Sequence, residues 1–293
     1  MTDVFIIGKG PAGISAALYT VRAGLSTVVT GCSAGSLGRA EKIENYYGFA
    51  EPVSGEELFE NGIRGAERLG VTVLDEEVFG VSYDGNFQIS TDRGEHEAEA
   101  LIIAAGSVRK APQIRGLKEF EGAGVSYCAV CDAFFHRGND VVVIGSGPYA
   151  VSEAEHLAGV VKSVTILTNG REMEAEVPGN IAVKTEKISE LFGDQIVSEV
   201  RFEDGTAMSV SGVFVAEGTA GSTDLGRKLG VVDPDGKWIV EADGSTPVPG
   251  LYAAGDCTGG LLQVSKAVSD GAEAGTAAIR YIREKRKREA AAE

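Results

Sequence analysis

The sequence predicts an α/β protein of two Rossmann-like domains with a three-layer ββα plan, the second inserted into a split first one. Three observations predict it. A β-branched run at residues 3–7 leads into the glycine loop Gly8-Lys9-Gly10-Pro11-Ala12-Gly13 and then into apolar residues at helical spacing, Ile14, Ala17, Leu18 and Val21. The pattern returns 137 positions later, where Gly145, Gly147 and Ala150 repeat the spacing of Gly8, Gly10 and Gly13. A third apolar run at residues 248–254 ends in Gly255-Asp256 and precedes a helix from about Gln263, which returns the chain to the first domain.

Each element follows in order. Gly24 closes the first helix and residues 26–30 give a second strand, so the opening segment is a βαβ unit with parallel strands. Residues 71–105 read as a β-meander with turns at Asp84-Gly85-Asn86 and Asp92-Arg93-Gly94. Residues 100–104 then form a buried strand returning to the first sheet. The boundaries fall near 112 and 220. Residues 1–112 and 221–293 make the dinucleotide-binding domain, and residues 113–220 make the insert that carries Cys128 and Cys131.

Composition narrows the functional classes. A chain of 293 residues, 43% hydrophobic with 40 glycines and only 8 prolines, is globular, which excludes disorder and collagen-like repeats. The net charge of −16 repels phosphate backbones and argues against nucleic acid as a partner. Four cysteines are too few for a disulfide scaffold, so a redox or metal role in a cytosolic protein comes first. No signal sequence opens the chain and no apolar run reaches the roughly 18 residues of a membrane span, so a soluble, cytoplasmic protein without membrane contact is expected. Residues 280–288 hold six bases and one acid. They read either as a solvated helix end whose cations suit the helix dipole or as a docking patch for an acidic partner.

The first glycine loop has what a dinucleotide pyrophosphate requires: a glycine for the turn, one for close backbone approach and one for helix–strand packing. No carboxylate ends the second strand, where Thr30-Gly31-Cys32 stands. That argues against NAD here and leaves FAD. Cys128-Ala129-Val130-Cys131-Asp132 is half a zinc site, a redox dithiol or a pair of structural thiols. Zinc needs two further ligands, and His96, His136, His156, Cys32 and Cys257 lack paired spacing, so no metal is expected. A dithiol at this spacing can close into a disulfide, with Asp132 passing protons as it opens. After the second glycine loop, residues 168–174 read TNGREME, one arginine among carboxylates, which suits a structural relic better than an NADPH site. Cys32 and Cys257 are expected as packed free thiols, although a third redox thiol at Cys257 is conceivable. Trp238, Tyr46, Tyr47 and Phe49 are expected in core or dimer interface.

Together these residues resemble the low-molecular-weight thioredoxin reductases over essentially the whole chain. The resemblance rests on GKGPAG at 8–13, IENYYGF at 43–49, Ala105-Gly106, CAVCD at 128–132, GSGPYA at 145–150 and Gly255-Asp256 followed by Gln263-Val264. It implies a homodimer in which a split FAD domain receives an insert that carries the CxxC and ordinarily binds NADPH. By motif it implies FAD contacts at Gly8, Gly10, Pro11, Ala12, Gly13, Ser36, Leu37, Asn45, Ala105, Gly106, Gly255, Asp256, Gln263 and Val264. Cys131 then resembles the flavin-facing thiol, Cys128 the thiol that attacks thioredoxin, and Asp132 the proton carrier. NADPH-dependent members carry a His-Arg-Arg type cluster where this chain has TNGREME. Its loss, with GDCTGGLLQVSKAV at 255–268, is similar to the ferredoxin-dependent flavin thioredoxin reductases of anaerobes. The implied function is electron transfer from reduced ferredoxin, docked on the basic 280–288 segment, through FAD and the dithiol to thioredoxin. A ferredoxin near −400 mV and a thioredoxin near −270 mV differ by about 130 mV, roughly 6 kcal/mol for two electrons. An NADPH-dependent thioredoxin reductase with an atypical pocket, a flavin-dependent dithiol oxidase and a non-enzymatic flavoprotein are the alternatives.

Overall fold

The structure is a computed structural model and describes residues 1–106, 112–127, 129–217, 221–233 and 236–292. The chain divides into two compact units, Met1–Val108 with Gly221–Glu293, and Arg109–Ala220.

In the first unit the buried run Val4, Phe5, Ile6 and Ile7 drives strand β1 (Thr2–Ile7) into the core. Helix α1 (Pro11–Arg22) opens on Pro11, whose fixed φ and missing N–H suit a first helical turn. Gly24, at φ +83°, ends it, and β2 (Thr27–Thr30) runs parallel to β1. Helix α2 (Gly55–Arg68) has no counterpart in the sequence reading, although its start signal is present. Ser54 accepts a hydrogen bond from the Glu57 amide at 3.1 Å, and Glu56 and Glu57 sit in the first turn. Strand β3 (Thr72–Leu74) lies parallel beside β2, so the segment expected to open the meander belongs to the parallel sheet.

The meander itself is β4 (Val78–Tyr83), β5 (Phe87–Thr91) and β6 (Gly94–Ile103), with both expected turns in place. A correction follows for β6. The last meander strand and the buried returning strand are one ten-residue strand, because no turn residue interrupts the backbone between Gly94 and Ile103. Residues 94–98 pair antiparallel with β5, while Ala100–Ile103 are buried and pair parallel with β1. The order is β3-β2-β1-β6-β5-β4.

The second unit repeats this plan with its meander detached. Strand β7 (Val125–Ser126), helix α3 (Ala129–Asp132), β8 (Asp140–Ile144), α4 (Pro148–Ala158), β9 (Ser163–Leu167) and β10 (Ala182–Lys184) come first. A three-stranded antiparallel sheet of β11 (Ile188–Gly193), β12 (Val197–Phe202) and β13 (Ala207–Ser209) follows, and β14 (Gly212–Val215) closes the unit. The parallel sheet runs β10-β9-β8-β14-β7. Val142, Ile144 and Val213 from it share one core with Val200 and Phe202 of the meander, and α4 packs on β8 and β9.

The chain then returns to the first unit with α5 (Ser222–Lys228), β15 (Leu251–Ala253) and α6 (Val264–Ala292). Strand β15 pairs parallel with β6, and α6 lies along α1 so closely that a Cβ at Gly271 would stand 2.0 Å from the Ala12 carbonyl oxygen. Ala12, Ala16, Ala274 and Ala278 fill that contact. Both units are therefore α/β with parallel sheets, as the sequence predicts.

The basic end of α6 is bound to the body of the first unit. Glu99 on β6, 6% exposed, accepts from the Arg286 guanidinium at 3.0 Å and lies 3.6 Å from the Lys285 ammonium. Arg286 also pairs with Asp3, and Arg280 pairs with Asp243 at 2.8 Å. Three of the six bases thus serve carboxylates beyond the helix, and Arg288 pairs with Glu284 one turn back at 3.6 Å. Arg286→Ala leaves a buried carboxylate short of its nearest cation; because Arg286 is itself about half exposed, the expected loss is about 1–2 kcal/mol. Urea unfolding checks this, and an unchanged midpoint would contradict it.

Candidate functional site

The three glycines of the first motif have three different surroundings. Gly8 has φ +112°, and a Cβ there would stand 2.2 Å from the Ala104 carbonyl oxygen at the end of β6. A Cβ at Gly13 would stand 1.7 Å from the Gly8 carbonyl oxygen, so α1 can lie this close to β1 only with glycine at that position. Gly10 faces open space and begins α1 with no side-chain cap and no acid in the first turn. The leading amides of α1 are therefore presented to an anionic group in a cradle that a dinucleotide pyrophosphate fits.

Residues expected at the same site make separate long-range contacts within the first unit. The Asn45 amide donates to the Gln263 side-chain oxygen at 2.8 Å across 218 positions. Leu37 and Val264 share a small apolar cluster with Ile43 and Val53. Gly255, at φ +83°, approaches α1 so that a Cβ would meet the Ala12 methyl at 2.8 Å. The Gly106 carbonyl accepts from the Ser222 hydroxyl at 3.0 Å beside exposed Ala105. Pro11 is half-buried at the first turn of α1, and Ser36 is exposed just before Leu37.

Two residues the sequence reading missed hold the Gly255–Thr258 turn. The Lys266 ammonium donates to the Gly255 oxygen at 3.1 Å, the Thr258 hydroxyl at 2.9 Å and the Gly259 oxygen at 2.7 Å, and pairs with Asp270 at 2.6 Å. Asp270 in turn accepts from the Gly255 amide at 3.0 Å. Their i,i+4 spacing in the first turns of α6 was the available signal. Burial raises the Asp256 carboxyl above the ordinary range, Lys266 opposes this and Asp270 adds to it. Cys257 is packed as expected. Its thiol faces the carbonyls of Ala254 at 3.3 Å and Ile103 at 3.5 Å, and burial pushes its pKa to about 12. Cys32 is exposed rather than packed, because it lies past the end of β2, and Tyr47 is likewise on the surface. Trp238 is in the core.

In the second unit Cys128 lies outside the described residues, and for Cys131 only the backbone is described, within α3. The neighbours of the motif are described. Glu153 on α4, 3% exposed, accepts from the Ala129 amide at 2.9 Å and so fixes the start of the turn that carries the motif. Asp132 accepts from the Ser126 hydroxyl at 2.6 Å. Phe134 and Phe135 are exposed, and His136 stacks edge-on against Phe214, burial lowering its pKa.

The second glycine loop is tightly packed. A Cβ at Gly145 would stand 2.2 Å from the Ala216 oxygen, and the Glu174 amide donates to the Ser146 oxygen at 2.8 Å, which draws residues 168–174 back over the loop. Thr168 is buried and donates to the Arg171 carbonyl at 2.6 Å. The Arg171 guanidinium is paired with Glu217 at 2.6 Å. Among the described residues no three His, Cys, Asp or Glu side chains gather as a metal set, and no helix is long and apolar enough to cross a membrane.

The chain matches the sequence profile described as pyridine nucleotide-disulphide oxidoreductase over residues 2–271. It is 34% identical over an alignment 304 positions long to the thioredoxin reductase of Listeria innocua, covering 96% of this chain and 94% of that one. Among solved structures it is similar to the atypical thioredoxin reductase TRi from Desulfovibrio vulgaris Hildenborough, with a TM-score of 0.90, 42% identity and coverage of 97% of this chain and 99% of that one. It is also similar to a ferredoxin-flavin thioredoxin reductase from Clostridium acetobutylicum, with a TM-score of 0.68, 30% identity and coverage of 95% and 97%.

The environment of Cys257 sets a pH dependence. Folding raises its pKa from 9.0 to about 12, so its contribution to stability is complete below pH 9 and is lost as pH rises toward 12. In a protein with Cys128→Ser and Cys131→Ser, a thiol reagent at pH 8 is expected to label Cys32 alone in the native state and both thiols after unfolding. Two labels on the native chain, counted by mass, would contradict this.

Proposed function

This chain belongs to the pyridine nucleotide-disulphide oxidoreductase family, and from that premise we infer that it is a flavin-dependent thioredoxin-disulfide reductase. Thioredoxin reductases of this family are FAD-binding flavoproteins, and the cradle of Gly8, Gly10 and Gly13 fits that group. Bound FAD supplies a carrier that takes up electrons singly or in pairs and delivers a pair to a disulfide. In this reading Gly8 to Gly13 hold the pyrophosphate, while Asn45, Asp256, Gln263 and Val264 hold the flavin half. Residues 1–112 with 221–293 form the FAD domain, residues 113–220 the dithiol domain, and the protein works as a cytoplasmic homodimer.

The dithiol chemistry balances once two electrons are supplied by the flavin. Two electrons and two protons convert the Cys128–Cys131 disulfide to a dithiol. Cys128, as thiolate, attacks the disulfide of thioredoxin and releases one of its sulfurs as a thiol. Cys131 then attacks the mixed disulfide, which restores Cys128–Cys131 and frees dithiol thioredoxin. Asp132, anchored by Ser126, takes and returns the proton of the attacking thiol.

The donor in our reading is reduced ferredoxin. The observation that carries this choice is Arg171, the one base in residues 168–174, whose charge is already met by Glu217. The likeness to a ferredoxin-flavin thioredoxin reductase supports the same choice. Docking would use Arg283 and Lys287, which are exposed, since Arg280, Lys285 and Arg286 are engaged with the body of the unit and Arg288 pairs with Glu284 at 3.6 Å. A second reading, NADPH as donor, is favoured by the family profile and by relatives such as the Listeria innocua enzyme.

Anaerobic absorbance titration separates the two. Reduced ferredoxin is expected to bleach the flavin and thioredoxin to restore its colour, whereas bleaching by NADPH within turnover time would establish the second reading. Cys128→Ser and Cys131→Ser proteins should retain FAD and lose thioredoxin reduction by at least about a thousandfold, as expected when a covalent nucleophile is removed. Full turnover by either variant would overturn the dithiol assignment.

A further inference from the structure

The end of β2 lacks the carboxylate that holds the adenosine ribose in many dinucleotide folds, and the structure places one on the neighbouring strand. Strand β3 pairs with β2 in the register Thr30↔Leu74, so Asp75 is the position abreast of Gly31. The Gly31 amide donates to the Leu74 oxygen at 3.2 Å, which keeps the two strand ends together beyond the last paired residues. Lys9, between the first two glycines of the phosphate loop, spans the gap. Its stem lies against Gly31, where a Cβ would meet Lys9 Cγ at 3.3 Å, and its side chain is only 9% exposed. The ammonium ends on the Asp75 carboxylate, with the Phe59 ring 5.8 Å away.

Asp75 itself is 76% exposed, so the carboxylate is anchored from below by a buried cation and open above. Lys9 makes its side-chain hydrogen bond with Asp75 and holds that carboxyl below the usual carboxylate range, which keeps it ionised and able to accept. Only one face is needed for the anchor. An ionised carboxylate has acceptor sites for vicinal hydroxyls besides the one Lys9 uses. A surface ion pair made for stability alone would not require a lysine stem buried within the phosphate loop, since exposed pairs contribute little.

We propose that Asp75, held by Lys9, accepts the hydroxyls of the adenosine ribose of FAD, supplying from β3 the carboxylate absent at the end of β2. The proposal rests on the FAD reading of the first unit and names the residue that recognises the adenosine half. It accounts for the lysine in the glycine loop: Lys9 orients Asp75 and neutralises part of its charge beside the pyrophosphate.

Release of FAD from holoprotein after dilution, followed by the rise in flavin fluorescence, tests it. Asp75→Ala is expected to release FAD about tenfold faster, as for loss of a charge-assisted hydrogen bond, and Asp75→Glu to restore most of the retention. Because Asp75 is exposed, the variants should fold, which far-ultraviolet circular dichroism verifies. Equal or slower release from Asp75→Ala overturns the proposal. So does faster release that Asp75→Glu does not correct, which would show that the pair only shapes the loop. A wild-type protein purified without flavin would instead defeat the FAD reading beneath it.

Discussion

The first unit depends on one close approach. At the end of β1 the backbone turns at Gly8 against the Ala104 carbonyl, and α1 begins with Gly13 against the Gly8 carbonyl. Any side chain at either position would separate α1 from β1 or β1 from β6. Several features of the unit refer to this contact. The central pairing of β1 with β6 runs into it, Gly255 packs on the adjacent Ala12, and α6 lies on the same face of α1 through Gly271. The cradle that suits a pyrophosphate is what remains open once these contacts are made, because Gly10 alone in the motif faces free space. Packing and binding are thus two aspects of one arrangement of small residues.

The second unit carries the same geometry toward a different end. Gly145 is as tightly held against Ala216 as Gly8 is against Ala104, so the glycine spacing is retained for packing. What differs is the segment after β9. Thr168 is buried, Asn169 adopts φ +53° while its side chain accepts from the Ile188 amide, Arg171 is tied to Glu217, and Glu174 returns to Ser146. The loop is satisfied by its own unit. These polar groups are already paired within the unit, and displacing each carries the cost of an unmade hydrogen bond. In the same unit the buried Glu153 on α4 fixes the Ala129 amide at the start of α3.

Charge follows a similar division. A chain of net −16 places its basic residues at a few built positions. Lys266 ties the 255–260 turn through four oxygens, Lys9 reaches Asp75 from within the phosphate loop, and Arg286 with Lys285 meets the buried Glu99. Burial acts in the opposite sense on Cys257, where it outweighs the nearby Lys266. Cys257 is held neutral among backbone carbonyls.

The sequence alone determined the parts that depend on local sterics and spacing: the strand, glycine turn and helix at 2–22 and 140–158, the hairpin turns at 84–86 and 92–94, the CxxC, and the missing carboxylate after β2. Each is written in residues within a few positions of one another, where φ, propensity and periodicity decide. Tertiary structure decided what depends on strands and loops distant in sequence. That β6 is one strand serving two sheet regions follows from pairing with β1 and β5, and the pattern of residues 94–104 does not by itself exclude a break. The partners of Arg286, Lys266 and Lys9 are set by which carboxylates the fold brings near, as Asp75 is brought beside Gly31 only by the β2–β3 register. A charge in a sequence has no address until packing supplies its neighbour, because Coulomb attraction and hydrogen bonding act through space and take no account of chain order.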